Sequence, residues 1–331
     1  MEPPGFWRNP PAAPGLAARA LAPLSWLWAA RTAQRMATPP RIRPPVPVIC
    51  VGNLSAGGTG KTPVVIALLE RLAKHGPHAL SRGYGGRLTG PVAVEPAHHT
   101  AADVGDEPLL LSAFAPAWIA RDRAAGAAAA VAAGAGVLVM DDGFQNPDVA
   151  KSLSLLVVDA ETAFGNQRVI PAGPLREPVA AGLARADLLV TLGPPAAQHT
   201  LLDRVPALTP LPRLRAELRP LEMGMPWAGL RVLAFAGIGR PAKFFRTLEG
   251  LGAEIVATRS FPDHAPLGRP VLQRLIRTAR DARAQLVTTE KDAVRLPPEI
   301  RRDVLVLPVR LSAADWAPLD RALAALWSGT A

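Results

Sequence analysis

The chain has 331 residues, 49% of them apolar and 19% charged, which suits two domains of roughly 100–200 residues each and excludes wholesale disorder. Its net charge of +10 favours an anionic partner: a nucleic acid, an acidic membrane surface or a phosphorylated substrate. The single cysteine, Cys50, excludes a disulfide framework and a cysteine-based zinc site, and the lack of an apolar run of about 18 residues argues against a conventional transmembrane helix.

The N-terminal segment is strongly basic. Residues 1–50 carry six arginines against Glu2 alone, which accounts for half of the net charge. Residues 15–30 combine leucine and tryptophan with Arg19 and Pro23, a composition typical of a helix that lies in a membrane interface. An ordinary amphipathic helix packed on the protein is an equal alternative. We assign residues 1–45 to a membrane-associating arm and a proline-rich connector.

A phosphate-binding loop is the strongest local signal. Residues 46–51 form a β-rich apolar run, residues 52–63 read GNLSAGGTGKTP, and residues 64–72 have apolar positions at helical spacing. Strand, glycine-rich loop, Gly-Lys-Thr and helix are the context of a P-loop, whose backbone N–H groups converge on phosphate oxygens. The lysine reaches the β- and γ-phosphates and the threonine hydroxyl ligates Mg²⁺. The predicted nucleotide-binding residues are Ser55, Ala56, Gly57, Gly58, Thr59, Gly60, Lys61 and Thr62. Ser55 stands where the strict pattern has glycine.

Two loops follow that carry candidate substrate or catalytic groups. SRGYGG at residues 81–86 permits close backbone approach to a ligand and contains Arg82 and Tyr84, although it also fits a plain glycine turn. DVGDEP at residues 103–108 precedes a helical run, and acids beside proline at a helix start are usually capping residues. Phosphoryl transfer to an alcohol nevertheless needs a group that accepts the hydroxyl proton, and Asp106 is a candidate.

The segment GVLVMDDGFQ at residues 136–145 reads as a buried strand that ends in two carboxylates. Asp141 occupies the Walker B position and Asp142 lies beside it, so both are predicted to serve Mg²⁺. Strand candidates at 153–159 and 188–192, separated by helix-sized segments, predict a doubly wound, mostly parallel α/β sheet over residues 46–205.

The loop PAGPLREP at residues 171–178 is rigid and carries Arg176 and Glu177. It presents the arginine to a phosphate or caps the following helix. Both residues are predicted substrate contacts.

The last third of the chain indicates a second, smaller α/β domain over residues 230–331, after a linker or small hairpin at 206–229. Its loops include FPDH, in which His264 follows a strand-like run, although a lone histidine is usually structural. Lys243 and Lys291 both fall at strand-to-helix junctions.

The ordered set of motifs resembles one family, the tetraacyldisaccharide 4′-kinases, which are the lipid A 4′-kinases of Gram-negative bacteria. The matching segments lie between about residues 46 and 296 and read GNLSAGGTGKTP, LSRGYGG, VGDEP, DDGFQ, PAGPLREP, AGIGRPAKFF, FPDH and VTTEKDAVRL. The resemblance implies a P-loop NTPase-like α/β fold and accounts for Ser55 as the family's own version of the loop.

The resemblance also implies the reaction: ATP-dependent phosphorylation of the 4′-hydroxyl of a lipid-linked glucosamine disaccharide 1-phosphate, at the cytoplasmic face of the inner membrane. By position, Asp106 is the catalytic carboxylate, His264 its proton-transfer partner, and Asp141 and Asp142 serve the metal. The implied cofactors are ATP and Mg²⁺. The implied partners are the lipid A precursor and the anionic inner-membrane surface, with no nucleic acid and no obligate protein partner.

Two positions depart from the family pattern: Asn146 follows DDGFQ and Ala265 follows FPDH where histidines are usual. Two other functions compete with the kinase. An NTPase switch of the partition or metallochaperone kind also uses GGTGKT, but many such proteins have a lysine where Ala56 stands. A non-catalytic membrane-surface adaptor leaves the segments around Asp106 and His264 unexplained.

Overall fold

A computed structural model describes residues 4–265 and 267–328. Its strands, in chain order, are β1 (Val48–Gly52), β2 (Pro77–Ser81), β3 (Val92–Ala93), β4 (Ala117–Ile119), β5 (Val137–Asp141), β6 (Leu153–Asp159), β7 (Leu188–Leu192), β8 (Arg213–Pro220), β9 (Arg231–Ala236), β10 (Glu254–Ser260), β11 (Gln285–Thr289), β12 (Val304–Leu307) and β13 (Val309–Ser312).

The α-helices in the same residues are α1 (Leu16–Ala20), α2 (Ala22–Met36), α3 (Lys61–Arg71), α4 (Ala101–Val104), α5 (Asp106–Leu111), α6 (Arg123–Ala132), α7 (Val179–Leu183), α8 (Pro195–Arg204), α9 (Pro241–Gly250), α10 (Arg269–Asp281), α11 (Glu290–Ala293), α12 (Pro298–Arg301) and α13 (Ala317–Ser328). Short 3₁₀ turns lie at Gly5–Arg8, Ala73–His75 and Pro206–Leu208.

Within the described residues the strands form two sheets, which we call the large sheet and the small sheet. The large sheet has nine strands in the order β13-β8-β7-β6-β1-β5-β2-β4-β3, and only its two edge pairings, β3 with β4 and β13 with β8, are antiparallel. Strands β1, β5, β6 and β7 are buried along their whole length. Continuous burial is what a parallel sheet with both faces covered requires, and it explains their runs of valine, isoleucine and leucine. The predicted mostly parallel α/β fold is confirmed.

The central position of β1 places the glycine-rich loop in the middle of the large sheet. β1 pairs in parallel with β5, and Val51 lies opposite Asp141 in the register. The loop passes into α3 through Gly60, whose φ of +84° and whose approach to Leu192 leave no room for a side chain. Carboxyl ends of neighbouring parallel strands meet at one edge, so the loop and Asp141 share that edge.

The large sheet extends beyond the segment predicted for it. Residues 206–229, expected as a linker or hairpin, contain β8, which pairs with β7, and β13 then pairs with β8 from the far end of the chain. The alternation of buried Leu214 and Ala216 with exposed polar positions makes β8 a strand with one covered face. Helix α13 packs on this part of the large sheet, so residues 309–328 return to it rather than staying with the small sheet.

The small sheet has the order β10-β9-β11-β12 and all of its pairings are parallel. Helix α9 packs against β9 and β10, and α10 against β9 and β11. The strand-to-helix junctions predicted at Lys243 and Lys291 are confirmed, since β9 leads into α9 and β11 into α11. The loops that follow β9, β10 and β11 face the edge of the large sheet that carries the glycine-rich loop and Asp141.

The N-terminal helices are held by polar contacts rather than by their large apolar side chains. Ser25 of α2 donates to Val169 O (2.7 Å) and accepts from Ala172 N (3.1 Å), and the Trp28 indole donates to Arg176 O (3.2 Å). Five large apolar side chains of α1 and α2 are exposed: Leu16 (83%), Trp26 (74%), Leu27 (66%), Leu24 (54%) and Trp28 (49%). None of the helices in residues 4–265 and 267–328 is both long and apolar enough to span a bilayer.

Candidate active site

The predicted phosphate-binding loop is held open by a side chain just before it. Asn53 donates through Nδ2 to Ser55 O (2.7 Å) and to Thr59 Oγ1 (2.9 Å). The same side chain accepts from Lys61 Nζ (3.2 Å), so the ammonium is directed to the loop's centre. Ala56 N donates to Pro174 O (2.7 Å), which ties the loop to the PAGPLREP segment. The loop is therefore fixed by Asn53 at one side and by Pro174 at the other, with the charged donor of Lys61 beside it, an arrangement that suits phosphate binding.

The two carboxylates after β5 have opposite surroundings. Asp142 Oδ1 accepts from Arg176 Nη1 (2.8 Å) and lies 3.5 Å from Lys61 Nζ; these two cations outweigh the effect of burial and keep its pKa below the ordinary value. Asp141 is 4% exposed, and its Oδ1 has no hydrogen-bond partner in the described chain. Burial, with a contribution from the charge of Glu107, raises the pKa of Asp141 to about 7. Asp141 is thus an uncompensated buried acid.

Asp106 and His264 meet across the two sheets. Asp106 starts α5 beside the large sheet, His264 lies in the loop after β10, and Asp106 Oδ1 is 3.0 Å from His264 Nδ1. Asp106 is 3% exposed and its Oδ2 has no hydrogen-bond partner among the described residues. Burial opposes its ionisation, but the hydrogen bond to His264 and the charges of Lys291 and Arg295 outweigh burial and lower its pKa. The hydrogen bond to Asp106 raises the pKa of His264 against the effect of burial.

Several side chains around this pair were not predicted from the sequence. Lys291 Nζ donates to Glu107 Oε1 (2.8 Å) and to Asp263 Oδ1 (3.3 Å), and lies 3.2 Å from His264 Nε2. Arg295 donates to Ala265 O (3.0 Å), which fixes the loop that carries the histidine. Their sequence signals were the position of Lys291 at a strand-to-helix junction and the family segments VGDEP, FPDH and VTTEKDAVRL, which contain these residues without indicating a role for them.

The predicted substrate contacts lie on both sides of the site. Tyr84 is exposed and meets the His264 ring edge-on at 5.2 Å, and Arg82 is exposed in the same loop. Arg176 reaches Asp142, as described above. Glu177 is buried and both of its oxygens accept from Arg185, while Oε1 also accepts from Gln145 (2.9 Å), so its carboxylate is engaged within the protein.

A buried arginine that the sequence analysis did not select lies near the same edge. Arg123 begins α6, is 4% exposed and has an Nε without a hydrogen-bond partner in the part of the chain described. Burial and the nearby charge of Arg82 lower its pKa to about 10, while Asp141 and Asp142 act in the opposite direction. This arrangement places a further cation within electrostatic range of both carboxylates.

The loop after β9 of the small sheet contacts the phosphate-binding loop of the large sheet. A Cβ atom at Gly239, in the loop after β9, would lie 3.2 Å from Gly58 N. We call the small sheet with helices α9 to α12 the small-sheet unit and the large sheet with its helices the large-sheet unit. Beside this contact, Asp159 at the end of β6 accepts from Arg240 Nη1 (2.8 Å) and Lys243 Nζ (3.0 Å) of the small-sheet unit. The site is therefore assembled from loops of both sheets.

A P-loop on the central strand, an acid at the end of the neighbouring strand and a buried carboxylate–histidine pair define a P-loop phosphotransferase. Comparison with known proteins identifies the family to which this phosphotransferase belongs. A family model described as LpxK, tetraacyldisaccharide-1-P 4′-kinase, matches residues 17–328, and the chain belongs to this family.

Individual relatives agree over nearly the full chain. The chain is 62% identical to a tetraacyldisaccharide 4′-kinase from Dinoroseobacter shibae, covering 99% of this chain and 98% of the relative. It is 57% identical to the protein of the same name from Rhodospirillum centenum, with 99% and 98% covered. A crystal structure of LpxK from Aquifex aeolicus in complex with ATP is similar at 25% identity with a TM-score of 0.75, covering 94% of this chain and 100% of that chain.

Proposed function

We propose that this chain transfers the γ-phosphate of ATP to the 4′-hydroxyl of a tetraacyl glucosamine disaccharide 1-phosphate, a step in lipid A synthesis. The observation that supports this proposal most directly is the position of Asp106 at the same edge as the phosphate-binding loop and Asp141, with a buried Oδ2 that accepts no hydrogen bond from the described residues. Family membership supplies the substrate class. A switch of the partition or metallochaperone kind has no use for the Asp106–His264 pair.

The nucleotide binds, in this proposal, to the loop of residues 55–62, with Lys61 directed to the β- and γ-phosphates. Mg²⁺ fits the remaining groups, because the partnerless Oδ1 of Asp141 is a buried acid that a cation would compensate. Thr62, Asp141 and Asp142 would hold it. When bound, the ion neutralises charge on the phosphates. Asp142 also keeps Lys61 and Arg176 in place.

Asp106 acts as the proton acceptor. The sugar hydroxyl oxygen bonds to the γ-phosphorus, and the bond from that phosphorus to the β–γ bridging oxygen breaks with its electron pair leaving on ADP. The hydroxyl proton passes to Asp106 Oδ2. A pKa held below the ordinary value keeps this carboxylate ionised and ready, and His264, which faces Oδ1 through Nδ1, orients it.

The sugar–phosphate part of the substrate is proposed to contact Arg82, Tyr84 and Arg176. Tyr84 supports this assignment because its exposed ring already lies against His264. Glu177 is proposed to act indirectly. It accepts a hydrogen bond from Gln145, and Gln145 in turn accepts from Arg176, so Glu177 helps to position Arg176. The machinery thus draws on residues 46–205, the proposed kinase domain, and on the small sheet and its helices within residues 231–307, the part of the proposed smaller domain that does not return to the large sheet.

The N-terminal arm is proposed to lie on the anionic cytoplasmic face of the inner membrane. Support comes from the exposed leucines and tryptophans of α1 and α2, while the side of α2 that faces the protein carries small polar residues such as Ser25 and Thr32. Arg19, Arg31 and Arg35 are exposed and have no ion pair within the described residues. Apolar rings with neighbouring cations suit an interface of acidic headgroups.

Vesicle binding tests the arm. Replacing Trp26 and Leu27 together by serine should strongly reduce co-sedimentation with phosphatidylcholine vesicles containing phosphatidylglycerol. Leu221→Ser, at an exposed leucine outside the arm, is the matched control and should bind as wild type. If both variants bound the vesicles equally well, the exposed side chains of the N-terminal arm would not be the membrane-binding surface.

The transferase reaction is tested with Asp106→Asn. This variant should lose about 100-fold or more of kcat while binding ATP as wild type, because it removes the base and leaves the loop intact. Asp103→Asn is the control: Asp103 is an acid of the same motif, but it accepts from Thr100 and Arg87 as a helix cap. It should lower stability and retain turnover. Retained turnover in Asp106→Asn would contradict the assignment.

A further inference from the structure

The ammonium of Lys291 lies at the centre of a group of acids and a histidine. Asp106, Glu107 and His264 offer ligand atoms within 4.8 Å of one another, an arrangement that could hold a metal ion. Lys291 Nζ lies 2.8 Å from Glu107 Oε1, 3.2 Å from His264 Nε2 and 3.9 Å from Asp106 Oδ2. It also contacts Asp263 at 3.3 Å. A cation from the protein itself therefore fills this cluster.

This contact acts together with the Asp106 carboxylate to fix which nitrogen of His264 carries the proton. A lysine ammonium has three donors and no acceptor, so at 3.2 Å it pairs with a ring nitrogen that has a free lone pair. Nε2 is then unprotonated, and the proton of the neutral ring is on Nδ1, from which it is donated to Asp106 Oδ1 at 3.0 Å. The same arrangement leaves Asp106 Oδ2 free to accept a proton from substrate.

The charge on Lys291 is secured by its surroundings. Burial alone would lower the pKa of its ammonium, but the carboxylates of Glu107, Asp106 and Asp263 outweigh burial and raise the pKa to about 12. The ammonium thus stays a donor throughout the working pH range. It bridges α5 of the large-sheet unit and the His264 loop of the small-sheet unit.

We propose that Lys291 is a positioning residue that holds His264 in the tautomer protonated at Nδ1 and directs it at Asp106. The inference rests on the proposed function, because it assigns the geometry that makes Asp106 the proton acceptor. Lys291 acts through His264, since its ammonium lies 3.9 Å from Asp106 Oδ2, which is beyond hydrogen-bond distance.

The chain offers a matched control in Lys243, the other lysine at a strand-to-helix junction of the small-sheet unit. Its ammonium also crosses to the large-sheet unit, where it contacts Asp159 at 3.0 Å. Arg240 makes a parallel contact with the same carboxylate, so Lys243→Met removes one of two ion pairs and weakens this connection between the units. No contact in the described chain joins Lys243 to His264, so the variant tests the effect of a weakened connection without a change at the ring.

Steady-state kinetics of Lys291→Met, Lys291→Arg and Lys243→Met form the first measurement. Lys291→Met should lower kcat about tenfold or more and leave KM for ATP within about twofold of wild type. Lys291→Arg keeps the charge and the donors, and should recover part of the loss. Lys243→Met should stay within about twofold of wild type in both constants.

The second measurement reads the ring directly by NMR with ¹⁵N-histidine labelling, the His264 signals being those missing from His264→Gln. At a pH above the raised pKa of His264, wild type should show the pattern of a neutral ring protonated at Nδ1, and Lys291→Met should lose it. The pKa of His264 should also rise in Lys291→Met, since the nearby positive charge opposes protonation of the ring. The charged or titratable groups that face His264 are Asp106, Glu107, Asp263, Lys291, Tyr84 and, through Asp106, Arg295.

A wild-type ring protonated at Nε2 overturns the proposal whether or not Lys291→Met folds. Equal losses of kcat in Lys291→Met and Lys243→Met, with an unchanged ring, also overturn it and leave a connecting role only. Failure of the proposed function looks different: wild type itself would then transfer no phosphate to lipid, while the NMR measurement would still report the tautomer.

Discussion

The buried carboxylate of Asp141 should lower the folding stability of the metal-free protein. In the metal-free protein its pKa rises from 3.8 to about 7 because the carboxylate is buried without a partner for Oδ1. Between these values the folded state binds more protons than the unfolded state, so stability falls as the pH rises through this interval. Above pH 7 the shift of roughly three pKa units, at ~1.4 kcal/mol each, sets an upper bound of ~4 kcal/mol on this loss of stability. At pH 5 the loss corresponds to only about one pKa unit.

Asp141→Asn should therefore stabilise the metal-free protein at pH 8, by ~2–4 kcal/mol, and by much less at pH 5. Urea unfolding in EDTA at the two pH values measures this difference. The adjacent Asp142 is the control, because its carboxylate is paired with Lys61 and Arg176 and its pKa is lowered. It is partly exposed, so Asp142→Asn should destabilise by about 1 kcal/mol at pH 8. An unchanged or lower stability of Asp141→Asn at pH 8 would refute the reasoning.

Three further substitutions test other parts of the account. Gly60→Ala should lower stability by ~1–3 kcal/mol in urea unfolding and weaken ATP binding in calorimetry, because a Cβ atom would clash with Leu192 at a positive φ; unchanged ATP affinity would contradict this. Ser25→Ala should cost ~1–2 kcal/mol and increase proteolysis of the N-terminal arm, since two buried backbone groups lose their partner; an arm as resistant as wild type would contradict it. Asp159→Asn should destabilise at neutral pH, since the stability from its lowered pKa is present above 3.8 and lost as the pH falls through the folded value. A penalty that persists at the acid end of urea titrations would contradict that assignment.

Much of the large sheet could be predicted because its signals are local. The strands at 153–159 and 188–192 are continuous apolar runs, and the structure has β6 and β7 at those positions. The P-loop needs only a strand, glycines and a helix in sequence, and α3 begins at Lys61 as the motif requires. Such elements are fixed by residues within one turn or one strand.

The remaining features depend on contacts between distant parts of the chain. β8 carries many charged residues and reads as a linker until Leu214 and Ala216 are seen to cover one face, and β13 reaches it from beyond the small sheet. Asp106 reads locally as a helix cap, and only its approach to His264, 158 residues later, gives it another role. Lys291 joins the same cluster from a third element, which no sequence window contains.

The central claim is that this chain moves phosphate from ATP to a lipid-linked sugar hydroxyl. Purified protein, γ-labelled ATP and tetraacyl disaccharide 1-phosphate in detergent micelles test it directly, with label followed in the lipid and ADP counted in parallel. The account predicts one labelled 4′-phosphate on the lipid for each ADP formed, and none with Lys61→Ala. ADP formation without label in the lipid would contradict it and favour a nucleotide-hydrolysing switch.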